Sequence, residues 1–141
     1  MKRLIAVFGM LMILLAVCLS GCSEQNNVVI TDCESGEVVA AFSSKEHVSE
    51  AASLTDALNN TEEVSAEVDY SQKYLVHFID PKDSLYDIRY YAYLNTDSNE
   101  VYVKFDTLKM SEKYDGFVDD KMQKCTKLTA NEFSAIISVK Y

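Results

Sequence analysis

The sequence predicts an α+β fold: an antiparallel β-sheet of about five to seven strands with two short helices, preceded by an apolar signal-peptide helix. Three observations point there. Short β-branched and aromatic runs recur between turn-forming residues from Val28 onward. Two later stretches, after Ser43 and after Thr129, open with the S/T-x-x-E signature of a helix start. Ahead of them all stands one long apolar run that does not share the pattern of the rest.

That run comes first. Lys2 and Arg3 precede sixteen apolar or small residues, Leu4 to Leu19, followed by Ser20 and Gly21. A basic start, an apolar middle and small residues at the end are the layout of a secretory signal peptide. At ~1.5 Å per residue the run makes a helix of about 24 Å, short of a ~30 Å hydrocarbon core. Residues 1–21 therefore read as a signal rather than a spanning helix.

The run closes on Leu19-Ser20-Gly21-Cys22, which resembles the lipobox of bacterial lipoproteins. The resemblance implies cleavage before Cys22 and a diacylglyceryl group on its thiol. It also implies a small lipoprotein, lipid-anchored to the cell membrane on its extracytoplasmic side. Two or more acyl chains hold a protein stably on a bilayer where one does not. Residues 22–27 are then a short lipidated tether, and residues 28–141 a single α+β extracytoplasmic domain.

The whole chain carries a net charge of −9, and residues 22–141 hold 11 Lys+Arg against 22 Asp+Glu. Such a balance excludes nucleic acid as a partner, because phosphates require a basic footprint. No basic cluster is present to dock on an anionic bilayer, so the membrane is met through the lipid on Cys22. The acids are uneven. Residues 22–70 contain eleven acids and one base, Lys45, whereas residues 71–141 are nearly balanced.

Val28–Asp32 and Glu37–Phe42 read as two strands around Gly36, which supplies the positive φ of a short hairpin. Ser43 and Glu46 form a capping box for a helix running to about Leu58, with Val48, Ala51, Ala52, Ala57 and Leu58 near one face. Val64, Ala66, Val68 and Tyr70 alternate with charged or polar residues, the pattern of an edge strand. Tyr74–Asp80, Leu85–Leu94 and Glu100–Asp106 read as three strands joined by Pro81–Ser84 and Thr96–Asn99.

The second turn pairs Leu94 with Val101, Ala92 with Val103 and Tyr90 with Phe105 on one face. It pairs Tyr93 with Tyr102, Tyr91 with Lys104 and Arg89 with Asp106 on the other. A four-residue first turn adds Leu75, His77 and Ile79 to the core face, and Tyr74, Val76 and Phe78 to the opposite one. Thr107–Asp120 reads as a polar loop and Lys121–Lys127 as a last strand. Thr129 and Glu132 cap a final helix with Phe133, Ile136 and Ile137 inward.

No phosphate-cradling glycine loop, nucleophile elbow or metal-binding H-E-x-x-H helix is present, so the sequence names no catalytic residue, metal ligand or cofactor. Asn95-x-Asp97-x-Asn99 with Asp106 at the twelfth place echoes a calcium loop but lacks its glycine, and a hairpin turn fits better. Asp115, Asp119 and Asp120 beside Gly116 read as a solvated loop. Cys33 and Cys125 remain after processing as a candidate disulfide pair. Burial as free thiols is the equal alternative.

One feature suggests binding. Tyr74, Tyr91, Tyr93 and Tyr102 with Arg89 and Lys104 form an aromatic, cation-flanked sheet face. It suits a protein or glycan partner. A membrane-anchored, non-catalytic binding or envelope-associated module is the leading expectation. The alternatives are a small envelope hydrolase using His77 or Cys125, and an acidic inhibitor or immunity-type domain.

Overall fold

The computed structural model describes residues 26–79, 88–106 and 121–141. The signal segment, Cys22, the Pro81–Ser84 turn and the acidic Asp115–Asp120 loop lie outside the described residues. Among those described, no helix is long and apolar enough to cross a membrane.

Seven strands form one antiparallel sheet: β1 (Val28–Asp32), β2 (Val38–Phe42), β3 (Thr61–Glu63), β4 (Gln72–Phe78), β5 (Ile88–Asn95), β6 (Glu100–Phe105) and β7 (Gln123–Thr129). Two helices, α1 (Val48–Asn59) and α2 (Ala130–Ser138), complete the fold. The spatial order is β2-β1-β4-β5-β6-β7-β3. The α+β class, the antiparallel sheet and the two short helices all stand.

Both helices cover the same face. Leu54 and Ala57 of α1 lie over β5 and β7: the Tyr90 hydroxyl donates to the Leu54 carbonyl at 2.9 Å, and the Cys125 thiol to that of Ala57 at 3.4 Å. In α2, Phe133 packs on Tyr74 of β4, ring centroids 5.3 Å apart, and Tyr141 beyond the helix stacks on Phe42 of β2 at 4.5 Å. The helices thus cross the sheet in opposite directions, α1 from β2 toward β7 and α2 back again. Val28, Ile30, Val76, Tyr90, Leu94, Val101 and Phe133 are fully enclosed between sheet and helices. A buried apolar side chain of this size contributes roughly 1.5–3 kcal/mol.

The β5–β6 register is the one the turn composition predicts, Leu94↔Val101 through Tyr90↔Phe105. The β4 register is not. Val76 pairs with Tyr90 and Leu75 with Tyr91, one residue away from the alignment that a four-residue turn would set. A one-residue slip exchanges the two faces of a strand. Tyr74 and Val76 are therefore core residues, and Leu75 and His77 belong to the opposite face.

Two further expectations are corrected. α1 begins at Val48, one turn later than the Ser43 capping box suggests. Ser43 instead organises a preceding turn, accepting from Lys45 N–H at 3.3 Å through its hydroxyl and from His47 N–H at 3.0 Å through its carbonyl. Val48 is consequently exposed, and Ala51, Leu54 and Ala57 form the buried stripe. Val64–Tyr70 is not a strand. The edge is the shorter β3, paired with β7, and residues 64–71 carry the chain from that edge past β7, β6 and β5 to β4.

Candidate functional site

The sheet face opposite the helices holds the candidate site. Antiparallel pairing lines its side chains into cross-strand rows. Lys73, Tyr93, Tyr102 and Lys124 make one row across β4–β7; Leu75, Tyr91 and Lys104 make the next; His77 and Arg89 a third. The sequence places Arg89, Tyr91, Tyr93, Tyr102 and Lys104 together, and the structure does so too. Tyr74 is not among them: it is 5% exposed in the core beneath Phe133.

Lys73, absent from the sequence-derived set, is central here. Its Nζ lies 4.5 Å from the Tyr91 ring centroid and 5.2 Å from that of Tyr93, within cation–π range of both. Burial works against its charge, yet the neighbouring Tyr93 phenol, with Cys33 and Tyr91, holds its pKa above the ordinary lysine value. Composition could have found it. In β4 the alternate set Tyr74, Val76 and Phe78 is far more apolar than Lys73, Leu75 and His77, and so points to the core on its own.

The tyrosines differ in access. Tyr93 is only 8% exposed, with Tyr70 packed edge-on at 4.9 Å. Tyr70 belongs to the crossing segment, whose Asp69 carbonyl also accepts from Asn95 Nδ2 at 3.2 Å. Tyr91 and Tyr102 remain half-buried. Tyr102 donates its hydroxyl to Glu100 Oε2 at 2.6 Å, and Lys124 donates to Glu100 Oε1. The Lys124 bond first, then those from Tyr102 and Ser98, hold the Glu100 pKa down at about 2; the bond to Glu100 pushes Tyr102 up to about 12.

At the other end, Asp106 is 5% exposed and accepts from Arg89 Nε at 3.3 Å. Arg89 also donates from Nη1 to His77 Nδ1 at 3.2 Å. A guanidinium only donates, so this bond leaves the His77 ring proton on Nε2. The three side chains brace one another across β4, β5 and the end of β6. Lys104, beside Tyr91 on the next strand, makes no ion pair among the described residues.

The cysteines are separate. Both are free: Cys33 is exposed in the turn after β1, and Cys125 is buried in β7. β4, β5 and β6 lie between those strands, about 19 Å at the usual strand spacing. No Cys33–Cys125 disulfide forms in this arrangement. Burial pushes the Cys125 thiol up to about 12, and it faces α1 while His77 faces the other way. These two residues do not make a nucleophile–base pair.

The calcium-like echo resolves as a turn. Asn95 Oδ1 accepts from the N–H groups of Asp97 at 3.1 Å and Ser98 at 3.0 Å, and Asp106 is held by Arg89. No group of three or more acidic, His or Cys side chains suited to a metal occurs among the described residues. Comparison with protein-family profiles, with curated proteins and with solved structures finds no match to this chain.

Proposed function

We propose that the chain is a lipid-anchored, extracytoplasmic binding protein that meets a protein or glycan partner through the face around Tyr91. The apolar run from Leu4 and the Leu19–Cys22 lipobox support the anchor. One observation carries the binding face. Tyr91 stays half-exposed between Lys73 and Lys104 on the side of the sheet that neither helix covers. A rigid aromatic with a polar tip, flanked by cations, offers contact area at small entropic cost.

Crosslinking of the full chain in intact cells, followed by identification of the attached molecules, tests this reading. Wild-type protein should give defined adducts. Tyr91→Ser and Tyr102→Ser should lose them while each keeps a cooperative melting transition above the assay temperature; Tyr93 is unsuited to the test because it is buried. Adducts retained in both variants would remove this face. Absence of lipid mass on Cys22 would remove the anchor.

A further inference from the structure

We infer that, with the lipid anchor at Cys22 in place as proposed above, the domain rests on the same bilayer through an apolar patch of Val48, Val139 and Tyr141. The tether decides which end of the domain can touch lipid. Asn27 is fixed to the fold. Its N–H donates to the Phe42 carbonyl at 3.1 Å, its Nδ2 donates to Ser44 Oγ at 2.8 Å, and its Oδ1 accepts the Ser44 N–H at 2.7 Å. Cys22 lies five residues earlier, so even a fully extended chain keeps it within about 18 Å of Asn27. The end of the sheet marked by Val28, Phe42 and Phe78 is thereby held close to the membrane.

The patch sits at that end. Tyr141 stacks on Phe42, ring centroids 4.5 Å apart, and His47, the residue before Val48, meets the Tyr141 ring edge-on at 4.8 Å. Val139 lines the groove between α1 and α2 together with Ser49 and Glu50. Five large apolar side chains are exposed among the described residues, and Val48 (64%), Val139 (39%) and Tyr141 (40%) are three of them. Of the other two, Val38 is at the far end of β2 and Tyr70 packs on Tyr93.

The local charges fit a neutral lipid surface. Lys45 and Lys140 are exposed beside the patch, and Glu46 and Glu50 offset them. The exposed acids Glu34, Glu37 and Asp97 lie in turns at the opposite end of the strands, away from the headgroups. Tyrosine is a side chain that membrane–water interfaces favour, and lysine stems lie along apolar surface while their ammonium groups stay in water. A weak contact is enough. The tether makes it intramolecular, at an effective concentration on the order of millimolar.

The sequence contains no tryptophan, so a single introduced one reports its own surroundings. The lipidated full chain carrying Val48→Trp, Val139→Trp or, as the control, Val38→Trp is reconstituted in phosphatidylcholine vesicles with and without bromine on the acyl chains. Val48→Trp and Val139→Trp should lose at least about half their emission to brominated lipid, because interfacial apolar side chains sit ~5–10 Å into the headgroup–acyl boundary. Val38→Trp should lose little, and adding Val139→Glu to Val48→Trp should restore most of its emission. All three positions are exposed, and a cooperative melt checks each fold. Lipid mass on Cys22 and flotation with the vesicles read the anchor separately. Lipidated, floating protein in which Val48→Trp and Val139→Trp are quenched no more than Val38→Trp overturns the contact and leaves the anchor standing. Blue-shifted but unquenched emission would put protein, such as a second copy, on the patch and overturn it as well. Missing lipid mass removes anchor and contact together.

Discussion

Asn99 Oδ1 accepts the backbone N–H of Asn131 at 2.8 Å, so the β5–β6 turn supplies an acceptor to the first turn of α2. The Asn99 carbonyl takes the Ala130 N–H at 3.4 Å, and Thr129 Oγ1 takes that of Glu132 at 3.3 Å. Three of the N–H groups that a helix start leaves without partners are thereby met. Asn99 itself has φ 57, a conformation that asparagine and glycine tolerate best.

Replacement of Asn99 should therefore separate the two contributions. Asn99→Ala loses the cap and strains the backbone, for about 1–3 kcal/mol. Asn99→Gly loses only the side-chain acceptor and should fall between alanine and wild type. Urea midpoints at constant m-value read the order directly; alanine as stable as glycine would show that φ contributes nothing.

Alkaline pH should destabilise the fold. Burial raises the Tyr90 phenol well above its ordinary 10.0 and the Cys125 thiol from 9.0 to about 12. The unfolded chain releases these protons near pH 9 and 10 while the folded chain keeps them. Stability is therefore fully present below pH 9 and falls as pH rises toward 12, by about 1.4 kcal/mol per unit for each group. Cys125→Ala should flatten the part of the slope that begins near 9.

Glu100 and Tyr102 should titrate as a pair. Glu100→Gln removes the carboxylate to which Tyr102 donates, so the Tyr102 ionisation, followed by ultraviolet difference absorbance, should move from about 12 toward 10.0. On the acid side, the lowered Glu100 pKa means its contribution is present above pH 4.5 and is lost as pH falls toward about 2. An unchanged Tyr102 titration in Glu100→Gln would break the link.

The two domain thiols should differ in reactivity. Cys33 is exposed and Cys125 buried, so a thiol reagent at pH 8 should modify Cys33 in native protein and Cys125 only after denaturation. Mass mapping distinguishes them; native labelling of Cys125 would place it outside the core.

Much of this fold is legible where local chemistry decides it. The β5–β6 register follows from a four-residue turn whose Asn99 accepts a left-handed φ, and the α2 start from Thr129 and Glu132, whose capping box is complete. The Arg89–Asp106 pairing follows from the same register. The β4 register is hidden because the turn length and the side-chain polarity of this stretch point to alignments one residue apart, and that slip exchanges Tyr74 with Lys73 on the candidate face. Val64–Tyr70 alternates like a strand for a different reason. Its route crosses the sheet instead of joining the ladder, and Tyr70 packs against Tyr93 rather than pairing.

β3, early in the chain, has β7, some sixty residues later, as its only ladder partner among the described residues. Until β7 arrives, α1 lacks the strand beneath Ala57, and the chain around Thr61 lacks the strand it pairs with among the described residues. Closing so distant a contact is slow relative to local hairpins. A molecule shortened ahead of Gln123 would thus lose more than its own tail: the far rim of the sheet, laid down long before, would come undone with it.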